Sequence, residues 1–125
     1  MRLLLDTHIF IWAVMDNRKL SKEARRIILD ADCVFVSAAS IWEASIKAGL
    51  GKLDVDVHQL VSEIEASGFV ELPVRAIHAA TVGTLPEIHR DPFDRLLIAQ
   101  ALCEPLHLMT ADSQLAAYSD LVMTV

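Results

Sequence analysis

Cysteine and long hydrophobic runs are both scarce in this sequence. Its 125 residues include two cysteines, Cys33 and Cys103, which lie inside apolar segments and lack the spacing of a metal site. We interpret both as reduced core residues of a cytoplasmic protein. The first run of three leucines ends at Asp6, too early for the core of a signal peptide, and no later run is long enough to cross a bilayer. We therefore expect no membrane association.

Glycine-rich loops, low-complexity stretches and internal repeats are also absent. Four glycines and four prolines are spread along the chain, so there is neither a linker nor a loop that could hold a nucleotide phosphate. No serine or cysteine stands in the pattern of a nucleophilic triad. The five histidines are scattered and offer no pair of metal ligands; they are His8, His58, His78, His89 and His107.

Basic residues are outnumbered by acidic ones. There are 11 of the former and 17 of the latter, and a net charge of −6 argues against broad electrostatic binding of nucleic acid. Five basic residues nevertheless fall within nine positions. They form either a solvated helix face or a local patch that contacts phosphate or a partner. The candidates for substrate or partner contact are Arg18, Lys19, Lys22, Arg25 and Arg26, together with Arg95.

The composition is strongly apolar for a small protein. Hydrophobic residues make up 54% of the chain, and the mean hydropathy is +0.41. A chain of this length suits one domain with a single core, and we expect that domain to span 1–125. The apolar excess predicts a sheet covered on both faces and a homodimer interface, which we place near Ile27 and Ile28.

Short apolar segments alternate with helical periodicity along the whole chain. Strands are predicted at 2–6, 33–36, 69–72, 106–110 and 121–125. Helices are predicted between them, with N-caps at Ser21, at Ser37 or Ser40, and at Asp56. Strands separated by helices predict an α/β fold with a five-stranded, mostly parallel sheet.

One predicted helix carries an acidic side chain toward the interior. Asp91 is its expected N-cap and Pro92 its first residue, and the segment 96–102 is apolar nearly all round. Asp94 lies on the same helical face as Ile98. An acid in that position is costly unless something pairs it. Either Asp94 complements the positive end of the helix dipole, or it faces a functional cation.

Four acids share one position relative to the predicted sheet. Asp6 and Asp112 follow the carboxyl ends of strands, and Glu43 and Asp94 open helices near that edge. Each also has a structural explanation, as a helix cap, as a partner of Lys47, or on a helix dipole. In open parallel sheets this edge holds the ligand crevice, at the point where the strand order reverses. We therefore expect the four acids to line one crevice.

A crevice with three or four carboxylates favours a divalent cation. Two unit charges ~4 Å apart repel each other by about 4 kcal/mol at an effective dielectric constant near 20. An all-oxygen site suits Mg²⁺ or Mn²⁺ better than zinc. Without a nucleotide loop or a nucleophilic triad, such a site indicates hydrolysis of a phosphodiester by a metal-activated water.

Four segments contain these acids: LLDTH at 4–8, VSAASIWE at 36–43, RDPFDRLLIAQA at 90–101 and MTAD at 109–112. In this order they resemble the PIN domain, and more closely the VapC-type ribonuclease toxins, over the whole chain. The resemblance implies a three-layer α/β/α fold with a five-stranded, mostly parallel sheet. It also implies a Mg²⁺- or Mn²⁺-dependent endoribonuclease, and a homodimer held by a VapB-like antitoxin.

The resemblance also implies roles for single residues. Asp6, Glu43, Asp94 and Asp112 match the acidic quartet that binds metal and catalyses cleavage. Asp6 and Asp94 are expected as direct ligands, and Glu43 and Asp112 as ligands through a second metal or through water. Two residues match hydroxyl positions near the quartet, and one acid is a rival to Asp94. These are Thr7 and Thr110, and Asp91, which we assign as the cap.

Three functions are compatible with these residues. The leading hypothesis is an endoribonuclease that prefers single-stranded RNA. The rival is a catalytically inactive PIN module that binds RNA or a protein partner. A phosphatase of the haloacid-dehalogenase type, with Asp6 as its nucleophile, would need a second acid two residues later, where His8 stands.

Overall fold

The computed structural model of the protein describes residues 1–125 and contains one five-stranded sheet. The strand order is β3-β2-β1-β4-β5, and every neighbouring pair is parallel. The predicted mostly parallel sheet is therefore confirmed. The strands are β1 (Arg2–Leu5), β2 (Cys33–Ser37), β3 (Val70–Leu72), β4 (His107–Thr110) and β5 (Val122–Thr124).

The strand order reverses at the centre of the sheet. The chain builds outward from β1 through β2 to β3, and then returns to add β4 on the other side of β1. Leu4 of β1 is thus flanked by Phe35 of β2 and Leu108 of β4. A crevice forms at such a reversal because the helices after the two central strands leave toward opposite faces.

Six α-helices and one 3₁₀ helix connect the strands. Each cap predicted from the sequence is confirmed, and the choice between Ser37 and Ser40 falls on Ser37, whose Oγ accepts the N–H of Ala39 at 3.0 Å. The helices are α1 (Thr7–Val14), α2 (Lys22–Asp30), α3 (Ala38–Gly49), α4 (Val57–Ala66), α5 (Ala76–Val82), α6 (Pro92–Cys103) and the 3₁₀ helix Ser113–Tyr118.

The helices cover both faces of the sheet, which gives the three layers that were expected. Side chains alternate along β1, so Leu3 and Leu5 join the core under α1, α2, α3 and α4. Leu4 joins the second core, under α6 and the 3₁₀ helix. Because both faces are covered, the strands consist mostly of apolar residues.

The prediction that both cysteines lie in the core is wrong for one of them. Cys103 is exposed, because it is the last residue of α6, and Cys33 is half-buried. Ile28 packs into the larger core and also lines a surface cavity beside the exposed Leu29, so the dimer interface expected near it stays a prediction. Trp42 is 61% exposed and contacts the edge of Phe93. The structure has no helix with both the length and the hydropathy that spanning a membrane requires.

Candidate functional site

A cavity of about 350 Å³ opens at the carboxyl ends of β1 and β4, where the strand order reverses. The four acids predicted to converge all line it, so the structure brings the whole quartet together. We call it the acidic cavity. Its lining residues are Asp6, His8, Trp12, Glu43, Lys47, Asp91, Asp94, Ala111 and Asp112.

Asp6 connects the two central strands at the floor of the acidic cavity. One carboxylate oxygen caps α1 by accepting the N–H of Ile9 at 2.9 Å. The other accepts the hydroxyl of Thr110, the last residue of β4. Burial raises the pKa of Asp6, although the hydrogen bonds from Thr110 and Ile9 oppose that rise. Asp6 therefore caps α1 and lines the acidic cavity at the same time.

Glu43 enters the acidic cavity from α3 and is buried, with both oxygens engaged. Oε1 accepts the Thr7 hydroxyl at 2.7 Å, and that hydroxyl also lies 3.0 Å from the Oγ of Ser40. Oε2 lies 2.6 Å from Nζ of Lys47, one helical turn later. The hydrogen bond to Glu43 raises the pKa of Lys47. The predicted Glu43–Lys47 pair is thus present, and its ammonium group lies in the same cavity as the acids.

Asp94 lies in an environment that disfavours its charge. Its carboxylate accepts no hydrogen bond from the protein, and its side chain is 22% exposed. Burial and the charges of Asp91, Asp6 and Glu43 together raise its pKa to about 7, although His89 opposes the rise. A helix dipole would act in the opposite direction, because it stabilises an anion in the first helical turn. Burial is the largest cause of the shift, so a dipole contact does not by itself account for the position of Asp94.

Asp91 takes the role of N-cap that the sequence predicts. Its Oδ1 accepts the backbone N–H groups of Phe93 and Asp94 at 2.9 and 3.2 Å. It also lines the acidic cavity. Because Asp91 is the N-cap, its side chain turns back onto the end of α6. Asp94 follows it, in the first turn of the helix.

His89 is a site residue that the sequence reasoning missed. The ligand atoms of His89, Asp94 and Asp112 all lie within 4.8 Å of one another. Its Nε2 is 3.2 Å from Oδ2 of Asp112 and 3.8 Å from Oδ2 of Asp94. The residue lies in the loop between α5 and α6, which has no periodicity to mark it. The sequence carried one signal, a histidine two positions before the helix cap.

A backbone hydrogen bond fixes the tautomer of His89. Nδ1 accepts the N–H of Asp91 at 3.0 Å, so the neutral ring carries its hydrogen on Nε2. That N–H donates to Asp112, whose other oxygen caps the 3₁₀ helix through the N–H of Gln114 at 3.0 Å. In this form His89 is a donor that holds Asp112, because its Nε2 has no free lone pair for a metal.

Arg95 points away from the acidic cavity and binds the loop that carries His89. Its guanidinium donates to the carbonyls of Pro86 and Val82 at 3.0 and 3.1 Å, and to the hydroxyl of Tyr118 at 3.2 Å. The same hydroxyl accepts the N–H of His89 at 2.7 Å. These internal contacts occupy the guanidinium of Arg95. It is therefore not free for the contact with substrate or partner that we expected.

The basic segment 18–26 lies outside the acidic cavity. Arg25 is partly buried, with its guanidinium 3.3 Å from Asp16 and 2.7 Å from the carbonyl of Asn17. Lys19 lies over the ring of Trp12, which does line the cavity. Both readings of the basic segment thus find support, since part of it is solvated and part adjoins the site. The exposed members are Arg18, Lys19, Lys22 and Arg26.

The donor set of the cavity fits a hard divalent cation. Asp94 has only His89, 3.8 Å away, as a partner for its charge, and each oxygen of Asp6 accepts a single hydrogen bond and keeps a lone pair. Carboxylate oxygens at this density are ligands typical of such ions. Glu43 is already neutralised by Lys47, so of the four acids Asp6 and Asp94 are the best placed to bind an ion directly.

The family model of the PIN domain matches residues 3–121 of this chain. The chain belongs to the PIN domain family. The match covers every strand of the sheet except the last, and all residues of the acidic cavity. The resemblance noted in the sequence is thus confirmed at the level of the family.

Individual relatives agree with this membership. Ribonuclease VapC22 of Mycobacterium tuberculosis is 29% identical, and the similarity covers 92% of this chain and 90% of the relative. The PIN domain fold also matches VapBC2 from Rickettsia felis bound to a promoter DNA fragment, with a TM-score of 0.71, 16% identity and coverage of 100% and 98% of the two chains. A toxin–antitoxin complex from Klebsiella pneumoniae gives a TM-score of 0.68 at 20% identity, with coverage of 98% and 96%.

Proposed function

We propose that this PIN domain, spanning residues 1–125, is a Mg²⁺- or Mn²⁺-dependent endoribonuclease of the VapC type. The observation that carries the proposal is the acidic cavity, in which four carboxylates surround one space and the pKa of Asp94 is raised to about 7. A concentration of carboxylates at a strand-order reversal suits a divalent cation, and through it an anionic phosphodiester. The similarity to ribonuclease VapC22 supports RNA as the substrate.

Some residues at the acidic cavity would bind the cation, and others orient the carboxylates that bind it. Asp6 and Asp94 would hold the cation, and Glu43 and Asp112 would act through a second ion or through water. When bound, the cation supplies an activated water and neutralises charge on the phosphate. Thr110 orients Asp6, and Thr7 orients Glu43, through the hydroxyl hydrogen bonds described above. His89 orients Asp112.

We further propose a VapB-like antitoxin as the partner, and a homodimer. The solved structures that share this fold include VapBC complexes, which supports an antitoxin. Because the cavity is acidic, the simplest inhibitor is an arginine or lysine inserted near Asp6 and Asp94. An apolar surface cavity of about 260 Å³ supports a second candidate for the dimer contact, besides the surface near Ile27 and Ile28. This cavity is lined by Trp42, Ala79, Val82, Pro92, Phe93 and Leu96.

A catalytically inactive PIN module is the second candidate, and the Glu43–Lys47 ion pair favours it. An internal ammonium at 2.6 Å already neutralises one acid of the quartet without any metal. In that case the cavity would serve RNA or protein binding alone. Asp94 argues against this reading, since its carboxylate accepts no hydrogen bond and its only ion-pair contact, with His89, is 3.8 Å long.

Cleavage of mixed RNA by the purified protein tests the proposal. We expect cleavage with Mg²⁺ or Mn²⁺ and none with EDTA. Asp94→Asn should lower the rate by orders of magnitude with the fold intact, while the exposed Asp54→Asn, as a matched control, should leave it unchanged. Metal-independent cleavage, or equal rates for the two variants, would contradict the assignment. Metal binding measured by calorimetry without cleavage would support the inactive module.

A further inference from the structure

We propose that His8, Trp12 and Lys19 form a binding surface for a base of single-stranded RNA beside the acidic cavity, and that the basic segment 18–26 contacts the phosphates that follow. The inference rests on the proposed ribonuclease function and adds to it the route of the strand. We call these three residues the stacking surface.

The two rings of the stacking surface belong to the rim of the acidic cavity. His8 and Trp12 lie one helical turn apart on α1, directly after Asp6, with their ring centroids 6.0 Å apart and tilted by 50°. Both rings line the cavity. Trp12 packs against the larger core on its inner side, which holds the indole while the cavity side stays open. Base stacking on a fixed aromatic ring is a common way to bind single strands.

The turn after α1 brings a cation onto this ring. The N–H of Asn17 donates to the carbonyl of Trp12 at 2.9 Å, and Oδ1 of Asn17 accepts the N–H of Lys19 at 2.9 Å. The chain therefore folds back on itself, and Nζ of Lys19 lies 6.0 Å from the centroid of the Trp12 ring. A phosphate next to a base stacked on Trp12 would meet this ammonium.

Positive charge continues beyond Lys19. A cavity of about 430 Å³ lies in the same turn, lined by Arg18, Lys22 and Arg25 among others. Glu23 is the one acid within 18–26, and Asp16, which precedes the segment, pairs with Arg25, so the five basic residues keep an excess of positive charge. In a chain with a net charge of −6, such an excess next to the site is the feature complementary to a phosphate backbone.

The surface suits a single strand better than a duplex. Its contact groups are ring faces, which need an unpaired and unstacked base, and bases inside a duplex are already stacked on one another. Cations to one side of the rings match a single backbone leaving the cavity.

Tryptophan fluorescence can report on this surface because the chain has only two tryptophans. In an Asp94→Asn background, which prevents cleavage, Trp42→Phe leaves Trp12 as the reporter and Trp12→Phe leaves Trp42. A short single-stranded RNA should quench Trp12 emission and leave Trp42 unchanged. The duplex of the same sequence should quench neither. Trp12→Ala should weaken single-strand binding roughly 5- to 100-fold, and Trp12→Phe much less.

Salt dependence tests the phosphate contact with a matched control. Lys19→Gln should reduce the slope of log Kd against log salt by about 0.7, the value for one phosphate of a single strand. Arg2 offers the control, because it also lies over an aromatic ring, 5.5 Å from the Phe35 centroid, but at the amino end of β1. Arg2→Gln should leave the slope unchanged.

In the protein that retains Asp94 and is catalytically active, Trp12→Ala should raise KM for single-stranded RNA more than it lowers kcat. If the wild type cleaves RNA while KM is unchanged, Trp12 is not quenched, and Lys19→Gln behaves like Arg2→Gln, the stacking surface is wrong and the ribonuclease proposal stands. Equal quenching by duplex would overturn the preference for single strands. If the wild type does not cleave and no RNA binds, both proposals fail.

Discussion

The metal-free protein should lose stability as the pH rises, and Asp94 should cause much of the loss. Its pKa rises from 3.8 to about 7 in the fold, because its side chain is buried and three other acids lie near it. A raised pKa means that the folded state favours the protonated carboxyl. The corresponding stability is therefore fully present below pH 4 and is lost as the pH rises through about 7.

The magnitude follows from the size of that shift. At ~1.4 kcal/mol per pKa unit, a rise from 3.8 to about 7 corresponds to about 4 kcal/mol. Because 22% of the side chain is exposed, solvent screens part of this interaction, and we expect about 2 kcal/mol. Burial raises the pKa of Asp6 in the same direction, so some pH dependence should remain without Asp94.

Urea unfolding in EDTA at several pH values between 5 and 8 measures the effect. About two of the three pH units between 3.8 and about 7 fall within this range, so the wild type should lose about 1 kcal/mol more than Asp94→Asn. The variant should therefore be the more stable protein at pH 8. Asp54→Asn, at an exposed position, should follow the wild type. Mg²⁺ should stabilise the wild type at pH 8 much more than Asp94→Asn, since only the wild type keeps the carboxylate of Asp94 as a metal ligand. Identical pH profiles for the wild type and Asp94→Asn would refute the reasoning.

Three further predictions concern the loop and helix around Asp94. Asp91→Ala should lower the free energy of unfolding by about 0.5–2 kcal/mol, while Asp91→Asn, which keeps a capping oxygen, should cost little in the same urea assay. His89→Gln should keep more cleavage activity than His89→Asn, because only glutamine reaches Asp112 as a donor, and imidazole ¹⁵N shifts of the wild type should report hydrogen on Nε2. Arg95→Lys should destabilise nearly as much as Arg95→Met, about 1–3 kcal/mol by thermal unfolding, because one ammonium cannot replace a fork that contacts Pro86 and Val82. Full stability of Arg95→Lys would show that these contacts contribute little.

The elements that depend on local chemistry were predictable from the sequence. Helix caps such as Asp56 and Asp91 act on N–H groups two or three residues away, so their pattern is visible in the chain. The alternation of apolar strands with helices was equally local. The convergence of Asp6 and Asp112 was predictable for a different reason, since the carboxyl ends of parallel strands meet at one edge.

Long-range contacts were beyond the sequence patterns. His89 joins the site only because the α5–α6 loop folds onto the 3₁₀ helix, where Tyr118 and Arg95 hold it. Apolar character alone did not separate Ile28, which is in the core, from Trp42, which is exposed. Helical periodicity marks a face, but which neighbour covers that face depends on how distant elements pack.

The hydrogen bond from Thr110 to Asp6 has a consequence for the synthesis of the protein. Its two residues are 104 positions apart, on strands that pair in the centre of the sheet. At translation rates of about 5–20 residues per second, Asp6 waits about 5–20 s on the ribosome before its partner strand exists. A nascent chain that has not reached β4 lacks Asp112 and has no closed acidic cavity. The acidic cavity can therefore close only after the segment from β4 to Asp112 has been synthesised and has left the ribosome.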